Sequence, residues 1–211
     1  MEAATIQRQD PTRGEGEPAP AVGWKPADPG PLGLGAFAMT TFVLSMFNSN
    51  LVNPKGVAVV LGLALAYGGI VQLLAGLWEF RTGNTFGAVA FCSFGAFWIS
   101  FWALNVFYAK GITGNVGHAV GVYLVAWAIF TAYMTVAALR VSGAVLLVFV
   151  LLTITFILLA IGNIGPHPTV LHWGGYLGLA TAAAAWYASF AAVTNSTFGR
   201  TVMPVYPLNG R

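Results

Sequence analysis

Ser142 to Gly162 reads SGAVLLVFVLLTITFILLAIG, a run without charge, proline or amide, whose only polar side chains are the hydroxyls of Ser142, Thr153 and Thr155. A bilayer hydrocarbon core of about 30 Å takes roughly 20 apolar residues at about 1.5 Å rise per residue, so this run is predicted to cross a membrane as a helix. Membrane barrel strands of about ten residues would alternate in polarity, and no such alternation is present. Five further runs share its character: Leu32 to Leu51, Gly56 to Phe80, Thr85 to Tyr108, Val116 to Leu139 and Thr169 to Ala192. Between them stand turn and cap residues: Asn53-Pro54-Lys55, Arg81 through Asn84, Lys110 through Asn115, Arg140, and Asn163 through Pro168. Links this short imply antiparallel neighbours. The predicted fold is an all-α membrane protein, a bundle of six transmembrane helices.

The whole composition agrees with that reading. Of 211 residues, 57% are apolar and 7% charged, too little polarity to cover a water-soluble domain of this size. Charge is concentrated at the start, where Glu2, Arg8, Asp10, Arg13, Glu15, Glu17, Lys25 and Asp28 fall. Positions 29 to 199 hold only Lys55, Glu79, Arg81, Lys110 and Arg140. Residues 1–27 are therefore expected to be a disordered polar tail, residues 28–195 the membrane domain, and residues 196–211 a short C-terminal tail. The first segment has no apolar core of its own and does not resemble a cleaved secretory signal. Basic residues stand singly and form no stripe for a nucleic acid, so no nucleic-acid partner is predicted; membrane lipid is the surrounding partner. One cysteine, Cys92, cannot build a disulfide framework within a chain and reads as a small buried hydrophobe.

Orientation follows from where Lys and Arg lie at the span ends. With the N-terminus inside, Arg8, Arg13, Lys25, Arg81, Arg140, Arg200 and Arg211 face the cytoplasm, against Lys55 and Lys110 outside. Both termini are expected in the cytoplasm, with the chain in the inner or plasma membrane.

Apart from Glu79 near a span end, the spans contain no ionised side chain, which argues against a proton pump or voltage sensor. Lys55 and Lys110 fall in loops, so no lysine is placed for a retinal Schiff base. His118, His167 and His172 lie near span ends without carboxylates or thiolates beside them and make no case for a metal. No nucleophile has a partnered base. The sequence thus predicts no enzyme activity, cofactor or metal. What the spans offer a solute is neutral polarity, chiefly Thr40, Thr41, Asn48, Gln72 and Asn163, side chains able to replace part of a hydration shell. Each is equally suited to an interhelical hydrogen bond. Glycine pairs such as Gly68-Gly69 and Gly174 with Gly178 suit close helix packing. At the head of the first span, Asp28 suits an N-cap and Pro29 the first helical position, and a helix start there would favour an anion.

The same head, Asp28-Pro29-Gly30-Pro31-Leu32-Gly33-Leu34, resembles the Asn-Pro-Ala-Pro-Leu-Gly-Leu signature of the acetate uptake transporter (succinate-acetate permease) family. The resemblance continues through Tyr67-Gly68-Gly69-Ile70 with Gln72, Trp78-Glu79-Phe80, Gly83-Asn84-Thr85-Phe86-Gly87, Phe97-Trp98 and Leu159 to Asn163. It extends over positions 28 to about 204. It implies a homohexamer with one pathway per protomer, carrying acetate and, in some members, succinate. It also implies an apolar constriction of Phe, Leu and Tyr, whose counterparts here are Phe37, Leu152 and Phe94. Two departures stand out: Phe94 lacks the phenolic hydroxyl, and Asp28 brings a charge where the family has a neutral amide.

The expected function is passage of acetate or another small carboxylate through that constriction, as an anion channel or a proton-coupled permease. A channel for a neutral solute such as ammonia or urea, and a non-transporting membrane sensor or assembly protein, are the alternatives.

Overall fold

The computed structural model describes Trp24, residues 26–165 and residues 167–208. The tail expected to be disordered thus lies, except for Trp24, Pro26 and Ala27, outside the described residues. Among these residues six helices are long and apolar enough to span a membrane: α1 Gly30–Asn48, α2 Pro54–Thr82, α3 Thr85–Gly111, α4 Val116–Ala138, α5 Gly143–Ile164 and α6 Pro168–Phe198. No strand forms among them, and the one extended pairing is an isolated bridge between Ser142 and Pro207.

Local chemistry sets the ends. Asn84, Asn115 and Ser142 each accept a hydrogen bond from a backbone N–H three residues on, at 3.1, 3.0 and 3.3 Å, and so start α3, α4 and α5. Asn53 accepts from Lys55 N at 3.0 Å, turning the chain into α2. Gly83 ends α2 at φ +79°, a left-handed conformation that a Cβ would strain. α6 continues to Phe198, beyond the Ala192 where apolarity stops, because Asn195, Ser196 and Thr197 add no helix breaker before Gly199 at φ +62°. The result is a helix of 31 residues, about 46 Å long, which outreaches a core of about 30 Å. α2 is not uniform: Ala66–Val71 widens into a π-helical turn. There Gly68 sits against α1, where an added Cβ would lie 2.5 Å from Thr40 Oγ1.

Each helix packs on its sequence neighbours, and α6 returns to pack along α1, closing the six into a ring. The α3–α4 seam is the most open part of that ring. It is bridged by side chains: Tyr123 stacks on Phe97 with centroids 5.9 Å apart, and its hydroxyl lies 2.7 Å from Ser100 Oγ. The exterior carries large apolar residues on every helix, including Leu77, Phe80, Phe107, Ile129, Val136, Leu147, Trp173 and Phe190. Apolar groups therefore face both inward and outward, as lipid requires of a spanning bundle.

Beyond α6, the chain folds back. Asn195 grips this return, its Oδ1 accepting from Val202 N and Met203 N at 2.7 and 2.8 Å and its Nδ2 donating to Met203 O at 2.8 Å. Gly143 N and Ala144 N, in the first turn of α5, then donate to Tyr206 O and Val205 O at 2.7 and 3.2 Å.

Candidate functional site

Phe37, Phe94 and Leu152 lie seven, nine and nine residues into α1, α3 and α5, roughly 10 to 14 Å along each at about 1.5 Å per residue. Depths within about one helical turn of each other, in three helices that start at the same end, let their side chains meet. All three belong to one buried apolar cluster and are 3–4% exposed. The Phe37 and Phe94 rings are 5.7 Å apart, and Phe94 is backed by Phe130, Phe149 and Trp127 at 5.3, 6.0 and 6.1 Å.

This layer stands between two cavities that share no lining residue. On the side of both described chain ends, about 200 Å³ is enclosed by residues that include Asp28, Gly30, Pro31, Leu34, Glu79, Asn84, Phe149 and Val205. On the opposite side, about 410 Å³ is bounded by Phe37 and Leu152 below and by Thr41, Ser45, Asn48, Trp98, Asn163 and His172 above. Each cavity gives a small polar solute hydrogen-bonding groups. The layer between offers none, so a solute crossing it sheds water.

The predicted polar residues divide accordingly. Thr41, Asn48 and Asn163 line the larger cavity, with Asn163 Nδ2 donating to Leu159 O at 2.7 Å. Thr40 and Gln72 line neither cavity; Thr40 is fully buried against Gly68, its hydroxyl donating to Ala36 O at 3.0 Å. Gln72 is 1% exposed, and its Oε1 has no protein partner. In the signature, Asp28, Gly30, Pro31 and Leu34 face the smaller cavity, Pro29 and Gly33 are buried, and Leu32 is exposed on the outside.

The head of α1 differs from its expected form. The helix begins at Gly30 with Pro29 as N-cap, and Asp28 Oδ1 takes the Gly30 N–H at 2.9 Å. Pro31 has no N–H, and Leu32 N and Gly33 N both donate to Pro29 O at 3.1 and 3.2 Å. No donor of this first turn is left for an anion, because the local carboxylate and the proline carbonyl have taken them. Glu79, 2% exposed, adds a second carboxyl to the same cavity and accepts from Thr82 Oγ1 at 3.1 Å.

Sequence reasoning missed Phe149, the residue that carries the layer from Leu152 to the smaller cavity. Its position three residues before Leu152, on the same helical face, was the available signal. It also missed the return segment at Val205, which has no sequence signature of its own. Among the described residues, no group of His, Cys, Asp and Glu is placed to hold a metal ion.

Known proteins resemble the chain over most of its length. Residues 13–210 match the GPR1/FUN34/yaaH family. The chain is 41% identical over 182 residues to the succinate-acetate/proton symporter SatP of Escherichia coli K12, a match covering 86% of this chain and 96% of that protein. It is 44% identical over 181 residues to ammonia transport outward protein 2 of Saccharomyces cerevisiae, covering 83% of this chain and 64% of that longer protein. Among solved structures, the bacterial acetate channel SatP matches with a TM-score of 0.80 at 41% identity, covering 86% of this chain and 99% of that one.

Proposed function

The chain belongs to the GPR1/FUN34/yaaH family, and from that premise we infer that it is a membrane transporter of acetate and related small carboxylates, succinate among them, and not an enzyme. The observation that carries this reading is the apolar layer separating two cavities, each edged by a few polar side chains, inside a lipid-facing bundle. The names of its bacterial relatives, a succinate-acetate/proton symporter and an acetate channel, supply the solute.

In the proposed mechanism Phe37, Phe94 and Leu152 form the constriction, extended by Phe149. A hydrated carboxylate gathers in one cavity, sheds water at the constriction and is rehydrated in the other. Burying an isolated charge costs many kcal/mol, so the apolar stretch has to be short and the polar groups beside it close. Thr41, Asn48 and Asn163 serve on the larger side. Thr40 shapes the wall from behind, packed against Gly68 of α2, and Gln72 is buried in α2 away from both cavities. On the smaller side the Asp28 carboxylate places negative potential before the constriction, which slows an anion approaching from there. The signature of residues 28 to 34 therefore acts as a shaped mouth, not as an anion trap.

The smaller cavity opens to the cytoplasm in this reading, since Arg81, Arg140 and Arg200 lie at its end of the bundle against Lys55 and Lys110 at the other. The protein resides in the cell membrane. It assembles as a hexamer through its apolar exterior, each protomer keeping its own path, as the family resemblance implies.

A membrane potential negative inside opposes inward movement of an anion by about 2.3 kcal/mol per charge per 100 mV. Uptake is therefore driven by a concentration gradient, by consumption of the solute inside, or by a proton. Radiolabelled acetate uptake into proteoliposomes, with succinate, lactate and urea as competitors, tests the solute: acetate flux blocked by succinate and not by urea is expected. Flux of urea or ammonia without acetate would favour the neutral-solute reading that the yeast relative's name suggests. In a planar bilayer under an acetate gradient, a current that reverses at the acetate equilibrium potential marks a channel; one acetate carried with one proton is electroneutral, so acetate flux without current, driven by a pH gradient, marks proton coupling.

A further inference from the structure

We propose that the Thr41 hydroxyl and the Trp98 indole N–H form a carboxylate-binding subsite on the larger-cavity face of the constriction. The proposal rests on the acetate-transport reading above and adds the two donors that receive the solute.

Thr41 follows Phe37 by four residues on α1, and Trp98 follows Phe94 by four on α3. The two helices run in the same direction and their phenylalanine rings touch, so both residues sit one turn, about 6 Å, outward of the ring pair. Both line the larger cavity.

Their polar atoms are anomalous. Thr41 is 6% exposed and Trp98 2%, yet neither Thr41 Oγ1 nor Trp98 Nε1 has a protein hydrogen-bond partner. Buried polar groups are nearly always satisfied, and an unmet one is a cost that function has to explain. The four other buried threonines, Thr40, Thr131, Thr155 and Thr181, all donate to the carbonyl four residues earlier in their own helix, at 3.0, 2.7, 2.8 and 2.9 Å. Thr41 makes no such bond. Its hydroxyl is thus withheld from the partner that every comparable side chain in this bundle uses.

The chemistry of the pair selects the ligand. An indole N–H can only donate, and a hydroxyl donates as readily as it accepts. Two unpartnered donors lining one cavity, each one turn beyond a phenylalanine of the touching pair, suit a group with two acceptor oxygens and no proton. A carboxylate fits; an ammonium ion, which has only donors, does not. Gln72, the third buried residue with an unmet atom, is left out because that atom is an acceptor and the residue lines neither cavity. The same arrangement explains how a dehydrated anion leaves the apolar layer: its first hydrogen bonds beyond Phe37 come from the protein, ahead of water.

The test is kinetic. Thr41→Val removes one donor and keeps shape; Trp98→Phe removes the other together with part of the ring that packs on Phe97 and Phe101, so its KM is read on protein that elutes as folded. In proteoliposomes each is expected to raise the acetate KM about tenfold, equivalent to about 1.4 kcal/mol of lost binding. Thr41→Ser, which restores the hydroxyl, returns KM toward the wild-type value. A purely packing role would alter the amount of folded protein and leave KM alone. As a measurement independent of variant yield, acetate added to 15N-tryptophan-labelled wild-type protein should shift the Trp98 indole N–H resonance, identified by its loss in Trp98→Phe, and chloride should not. Wild-type acetate flux with an unchanged KM in the folded variants, or a Trp98 resonance indifferent to acetate, overturns the subsite alone. Wild-type protein without acetate flux overturns the transport reading and the subsite together.

Discussion

Phe37→Ala removes one side of the proposed constriction and leaves the rest standing. The ring is 4% exposed, its centroid is 5.7 Å from Phe94, and it borders the larger cavity directly. Phe94 packs on Phe130, Phe149 and Trp127 at 5.3, 6.0 and 6.1 Å, contacts it would lose by moving into the gap, so relaxation fills the gap only in part. The space therefore joins the larger cavity and admits water to the level of Phe94. A passing carboxylate then keeps one more hydrogen bond at the narrowest point, and such bonds to a charged group are worth about 1.5–3 kcal/mol. Since about 1.4 kcal/mol is a factor of ten in rate, acetate flux per protein should rise roughly 10- to 100-fold. Size selectivity should weaken with it, so lactate gains more than acetate. Phe→Ala in a closed core costs about 3–5 kcal/mol of stability, and a site already facing a cavity should lose less. The assay is stopped-flow flux of acetate and lactate in proteoliposomes, normalised to protein that elutes as folded. An unchanged acetate rate and an unchanged lactate-to-acetate ratio in folded protein would remove Phe37 from the pathway and refute the reasoning.

Three other outcomes follow from the same geometry. Phe94→Tyr places a hydroxyl inside the aromatic layer; a buried hydroxyl without a partner costs about 1–3 kcal/mol, so a lower unfolding temperature in detergent with improved acetate flux is expected, and a gain of stability with no change of flux would argue against the layer being crossed. A chain ending at Gly199 loses the return segment that takes the Gly143 and Ala144 N–H groups and lines the smaller cavity at Val205, and flux from that side should increase as α5 regains two free donors; equal flux in both directions, before and after, would show that the segment only braces the bundle. Gly68→Ala brings a Cβ to 2.5 Å from Thr40 Oγ1 where α1 meets α2, and overpacking of this kind costs about 1–3 kcal/mol, to be read as a fall in thermal stability.

The six spans were legible in the sequence because lipid imposes one rule on every residue of a crossing segment: apolar side chains and internally satisfied backbone. Ser142 to Gly162 could hardly be anything else, and the Asn and Ser caps at Asn84, Asn115 and Ser142 marked the starts of the helices that follow them. Which face of each helix turns inward did not follow, because a helix apolar all round has no polar stripe to set its rotation. Packing decided it: α6 returning onto α1, and glycines such as Gly68 setting how closely neighbours approach. That rotation put Thr41 in the larger cavity and its neighbour Thr40 behind the wall, a difference of one residue and about 100° of helix that no local pattern records. It also placed Phe149 at the lower edge of the apolar layer, and it brought Val205, more than fifty residues away in sequence, to the mouth beside it. Membership of the lipid phase is a property of each segment separately and can be read from composition; the shape of a path between segments exists only after they have packed.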